Sequence, residues 1–150
     1  RKEMYSFVHL ALMCTVLLRG TKCNLFDDSC QVMPDGPSDD HTTIDVQTDP
    51  MCHNGTFWWN YPQGNIRLHF QHKTSPYFRV CLKDYLGGSI FQLYDVTSDM
   101  KHAMPSVTPD SSKEVCTSAH HYEIVILFEA GHLMRYMGEV AYRIQPIYPL

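Results

Sequence analysis

The sequence predicts an all-β protein, an antiparallel sandwich closed by two disulfides. Three observations carry that expectation. Short segments of alternating apolar and polar residues recur along the second two thirds of the chain, at turn-separated intervals. No window sustains a helical apolar period. The cysteines left after an expected leader that ends at Cys23 are few and even in number, as in a small domain of an oxidising compartment.

The chain has 150 residues, enough for one domain. It opens on RKEMYSFVHLALMCTVLLRGTKCN, a basic start, an apolar run from Tyr5 to Leu18 and small or polar residues after it. That is the plan of a secretory signal peptide. The run is too short for a spanning helix, which needs about 20 apolar residues. Residues 1–23 are therefore expected to be removed, with Met4 as the initiator and cleavage after Gly20 or Cys23. A secreted, extracellular product without membrane insertion follows.

Removal of residues 1–23 takes Arg1, Lys2, Arg19, Lys22 and Glu3 with it and leaves a net charge near −7. That balance argues against nucleic acid and anionic membranes as partners. Cys14 and Cys23 go with the leader, leaving Cys30, Cys52, Cys81 and Cys116. Cleavage after Gly20 instead keeps Cys23 as an odd thiol. Four cysteines allow three pairings. The sequential one, Cys30–Cys52 with Cys81–Cys116, closes two modest loops and is the expected one.

Residues 24–51 hold seven aspartates and no lysine or arginine. They read as an acidic extended segment tethered by Cys30, with a short strand at Thr43–Gln47. The sandwich is expected over 52–150. TFWWNY is aromatic and β-prone. Tyr61-Pro62-Gln63-Gly64 suits a type I turn. NIRLHF and YFRVCL alternate, LGGS at 86–89 turns the chain, and SIFQLYDV is the next strand. Residues 97–113 read as a polar loop. HYEIVILF at 121–128 is expected to be buried on both faces. GEVAYRIQP at 138–146 should turn Val140, Tyr142 and Ile144 inward, and GHLMRYM at 131–137 reads as a helical turn or hairpin loop.

The order of these features resembles a CUB-like β-sandwich of jelly-roll type. A cysteine precedes an aromatic strand, then come IRLHF, VCLKDYLGGSIFQLYDV, a further cysteine, YEIVILF and GEVAYRIQP. The likeness is closest to the N-terminal CUB-like domain of the meteorin and meteorin-like family. The most specific shared element is Trp-x-Tyr-Pro-x-Gly, here Trp59 to Gly64, following Cys52 and running into NIRLHF. The resemblance covers about residues 52–145. It implies the same sequential cysteine pairing and places Trp59 in the core. Meteorins also carry a netrin-like domain that has no counterpart in residues 1–150.

CHNGTFWWNYPQG holds both tryptophans and the N-glycosylation sequon Asn54-Gly55-Thr56. Adjacent strand residues point to opposite faces. Trp58 and Trp59 therefore cannot both enter the core. Trp58 becomes the candidate binding residue on the outer face, beside a glycan on Asn54. Asp84 matches one aspartate of a CUB calcium site by its place after Cys81, but no convincing partner Glu precedes Cys52, though Asp45 and Asp49 are available, and a non-binding domain is the stronger expectation. His69 with His72, and His120 with His121, have spacings that do not put two imidazoles on one strand face. Ser89 lacks a nucleophile-elbow setting. The expected activity is binding, without cofactor or catalysis. The partner is an extracellular protein or cell-surface receptor, engaged by a signalling or modulatory factor of meteorin-like type. A spermadhesin-like glycan or adhesion module, or a salivary or venom effector, is the alternative.

Overall fold

The structure is a computed structural model, and it describes residues 30–34, 42–60, 64–109, 113–130 and 137–148. The expected leader, the Tyr61-Pro62-Gln63 portion of the turn and the 131–136 loop lie outside the described residues. Two β-sheets pack face to face. The first contains β1 (Gln31–Val32), β3 (Asn54–Asn60), β11 (Met137–Pro146), β5 (Tyr77–Leu86) and β8 (Val115–Cys116) in that order, with β9 (His120–His121) also paired to β5. The second runs β2 (Thr43–Gln47), β4 (Asn65–Gln71), β10 (Glu123–Ala130), β6 (Phe91–Asp95) and β7 (His102–Ala103). No helix among the described residues is long and apolar enough to cross a membrane.

Alternation sends one residue set from each strand into the space between the sheets. Phe57 and Trp59, Phe78, Val80 and Leu82, and Val140, Tyr142 and Ile144 face inward from the first sheet. Ile66, Leu68 and Phe70, Phe91 and Leu93, and Ile124, Ile126 and Phe128 meet them from the second. Rings span the interface. Phe57 lies 4.8 Å from Phe128, and Trp59 stands edge-on to Phe91 at 5.6 Å between centroids. Phe70 meets Tyr142 at 5.2 Å. Tilted and edge-on pairs of this kind add to the burial of their area.

The two disulfides are Cys30–Cys52 and Cys81–Cys116, the expected pairing. Three other expectations are corrected. The sandwich is not antiparallel throughout: β1 runs parallel to β3, and β2 parallel to β4. Parallel neighbours need a crossover. The chain supplies it by switching sheets at each step from β1 to β4. The acidic 24–51 segment is accordingly not a mere tether before a sandwich that starts at Cys52. It gives an edge strand to each sheet, and Val32 joins the core. Finally, β10 is buried on one face only. Val125 and Leu127 are half-buried on the outer side, where no further layer among the described residues covers β10.

Close approach fixes one glycine. A Cβ on Gly55 would lie 2.0 Å from the Cys30 carbonyl oxygen, the same oxygen that accepts a hydrogen bond from the Tyr142 hydroxyl at 3.0 Å. Burial pushes the Tyr142 phenol up to about 12.

Candidate binding surface

The Trp-x-Tyr-Pro-x-Gly motif has a physical link across it. The Trp59 indole N–H donates to the Gly64 carbonyl at 2.8 Å inside the core. Gly64 sits at φ +76°, a left-handed backbone that glycine adopts without steric cost. Trp59 thus satisfies its one polar atom on the turn that follows its own strand, and its ring is 1% exposed.

Trp58 takes the opposite face, as alternation requires. It is half-buried there rather than fully exposed, and its buried indole N–H lies beside the Glu139 carboxyl of the facing strand, outside good hydrogen-bond geometry. Pairing places Trp58 opposite Glu139 on β11, and Glu139 opposite Leu86 on β5. A bulge between Glu139 and Val140 leaves Tyr85 as the extra residue of β5. Tyr85, Leu86 and Met137 are 62%, 50% and 55% exposed. They and Trp58 make an apolar patch at one end of the first sheet's outer face.

Glu139 lies within this patch and is 6% exposed. Burial raises its carboxyl pKa, and the Thr56 hydroxyl and Trp58 indole N–H on the facing strand pull it part of the way back. A carboxyl with a raised folded pKa is a liability once it ionises. The penalty is absent below the unfolded value of about 4.5, grows as pH rises through the folded pKa and is complete above it. Glu139→Gln should therefore raise the urea midpoint at pH 7.5 and leave it unchanged at pH 3.5. A lower midpoint at pH 7.5 would show that the carboxylate stabilises the patch.

Asn54 is exposed on the same outer face, four residues before Trp58. At about 3.3 Å per residue it stands about 13 Å away, near enough for a glycan to rim the patch without covering it.

The acidic residues proposed for calcium are not brought together. Asp45 is paired with His69 and Arg67 on the second sheet. Asp49 accepts from the Met51 N–H. Asp84 accepts from the Gly88 N–H at 2.6 Å and so shapes the turn after β5, while its second oxygen is buried without a partner.

The histidines also separate. His69 is held between Asp45 and Glu123, through Nε2 at 2.8 Å and Nδ1 at 3.1 Å. His72 faces His53 at 2.9 Å. His120 pairs with Asp95 at 3.3 Å, and the His121 ring lies over Tyr77 at 4.5 Å. Among the described residues the one group with metal-like spacing is Cys81, Glu114 and Cys116, whose thiols are spent in a disulfide.

Two features escaped the sequence. The 97–113 region is not simply loop: His102–Ala103 pairs with β6, and beside it a cleft of about 290 Å³ is lined by Asp95, Ser98, His102, Thr117, Ser118 and His120. Asp95 is buried and locked by the Thr97 N–H and hydroxyl, which orients it toward His120. Among the described residues no serine or threonine hydroxyl hydrogen-bonds to the His120 ring.

The second feature is an aromatic cluster of Tyr77, His121 and Tyr122 at the other end of the first sheet. Tyr122 is 74% exposed and sits at φ +69°. That conformation is costly for a bulky side chain. It is held by its N–H, which donates to the Pro76 carbonyl at 2.7 Å. Residue pattern alone gives no sign of a left-handed tyrosine.

No protein-family model matches the sequence, and no curated protein matches it.

Proposed function

We propose that the protein is a small secreted glycoprotein that acts by binding, as an extracellular signalling or modulatory factor of meteorin-like type. The observation that carries this reading is the apolar patch of Trp58, Tyr85, Leu86 and Met137 at one end of the first sheet's outer face. Tryptophan and tyrosine at the centre of such patches dominate binding energy. The acidic mature chain favours a partner with a basic surface, which accelerates encounter more than it sets affinity. The Asn54 sequon, exposed at the rim, suits the secreted form.

The test is binding of labelled protein to a panel of cell types by flow cytometry, before and after protease treatment of the cells. Protease-sensitive binding, weakened at least tenfold by Trp58→Ala, is expected. Binding that survives Trp58→Ala places the site elsewhere. A second reading, a glycan or adhesion module, is favoured by the Tyr77–His121–Tyr122 cluster, because strained exposed aromatics collect at ligand sites. Glycosidase-sensitive binding lost in Tyr122→Ala and kept in Trp58→Ala would select it.

A further inference from the structure

We propose that His53 and His72 form a pH-operated latch, closed when both rings are neutral, that holds the turn between β4 and β5 and with it the Tyr77–His121–Tyr122 cluster. The hydrogen bonds define the protonation state. The Ser75 N–H donates to His72 Nδ1 at 3.0 Å, so that nitrogen carries a lone pair. The His72 proton then sits on Nε2, which faces His53 Nδ1 at 2.9 Å. His53 Nδ1 must accept, so its own proton is on Nε2. Each ring is neutral, in one tautomer.

Any added proton breaks a bond. On His72 it lands on Nδ1, against the Ser75 N–H. On His53 it lands on Nδ1, against the His72 Nε2–H. The same tautomer disfavours a metal, because a neutral imidazole that ligates through Nε2 carries its proton on Nδ1, where the Ser75 N–H already points.

The latch sits at a junction. His53 follows disulfide-bonded Cys52, and its carbonyl accepts from the Ile144 N–H at 2.7 Å. In the turn, the Lys73 N–H donates to the Pro50 carbonyl at 3.1 Å, and Pro76 holds Tyr122 in its left-handed conformation. Releasing His72 from His53 leaves the Lys73 N–H to Pro50 bond as the turn's remaining tie to the segment before β3, and so loosens the turn that carries Pro76, the partner of Tyr122. Among the charged and titratable residues on the adjoining elements are Asp49 on that segment, Lys73 in the turn, His69 on β4, Tyr77 on β5, His120 and His121 on β9, and Tyr142 and Arg143 on β11.

Burial of His72 and, second, the charge of His53 hold the His72 pKa below the ordinary 6.5. A lowered folded pKa means that the stabilisation is complete above about pH 6.5 and is lost as pH falls through the folded value.

The experiment is amide hydrogen exchange on the full ¹⁵N-labelled chain between pH 7.5 and 5.0, corrected for the intrinsic rate. The opening constants of Ser75 and Tyr122 should rise about tenfold per pH unit below pH 6 for each proton taken up, while that of Ile126 stays flat. His72→Asn keeps an acceptor for the Ser75 N–H and cannot titrate, so its Ser75 opening should not depend on pH. A flat wild-type profile, or an equal slope in His72→Asn, overturns the latch. Ring ¹⁵N shifts of the wild type at pH 7.5 give a check that needs no variant. They should show His72 protonated on Nε2, and a proton on Nδ1 overturns the proposal.

Discussion

Trp59→Ala should lower the unfolding free energy by about 3 to 5 kcal/mol, the range for deleting a large aromatic from a packed core. Trp58→Ala should lower it by far less. The two neighbours differ in everything but identity. Trp59 is 1% exposed, edge-on to Phe91, and bonded to the Gly64 carbonyl. Its removal leaves a cavity between the sheets and orphans that carbonyl. Trp58 is half-buried on the outer face, and its N–H makes no well-formed hydrogen bond, only a weak polar contact with the Glu139 carboxyl. Chemical denaturation followed by far-ultraviolet circular dichroism compares them without relying on tryptophan emission. Equal losses would mean that the outer face is packed as tightly as the inner one, and the binding role of Trp58 would fall with that result.

Removing either disulfide by paired Cys→Ala substitution should cost about 3 to 4 kcal/mol on the chain-entropy account. The bridged residues are 22 apart for Cys30–Cys52 and 35 apart for Cys81–Cys116. The logarithmic dependence on loop length makes the two costs nearly equal. Local consequences should differ. Cys81 and Cys116 are direct cross-strand partners, and β8 is only two residues long, so this bridge holds an edge strand that its own ladder hardly secures. Cys30–Cys52 ties the segment carrying β1 and Val32 to the entry of β3. Denaturation midpoints give the total, and exchange at the Thr117 N–H, which donates to Val80, gives the local part. A Cys81→Ala/Cys116→Ala variant with wild-type stability and wild-type Thr117 protection would refute the account.

The sandwich was legible wherever alternation met a long strand. NIRLHF, YFRVCL and GEVAYRIQP each turn the expected residues inward, because burial on one face imposes a period of two. The sequential disulfide pairing was legible because it closes two modest loops and because the resemblance to CUB-like domains implies it. HYEIVILF misled because a continuous apolar run reads the same whether one face or two are covered. Only the lack of a third layer among the described residues decides it. The parallel edge strands were hidden for a different reason. Pairing direction is set by how the connection crosses the sandwich, and nothing within TIDVQ or QV states it. At the candidate surface, the opposite facing of Trp58 and Trp59 could be read, and so could the exposure of Asn54. The buried Glu139, the facing histidines and the left-handed Tyr122 come from contacts between strands distant in sequence, which no local pattern encodes.

In the first sheet β11 lies between β3 and β5, although it follows both in the chain. The order of synthesis therefore opposes the order of assembly. As the polypeptide is threaded N-terminus first, β3 and β5 emerge with the place between them empty, and each shows an open ladder edge until residues 137–146 arrive. A nascent chain stalled before Met137 can complete the second sheet, whose five strands are all made by then, but not the first. The first sheet therefore closes only once residues 137–146 have emerged. Its most aggregation-prone interval is the time between the exit of Tyr77–Leu86 and the insertion of the strand that closes the gap.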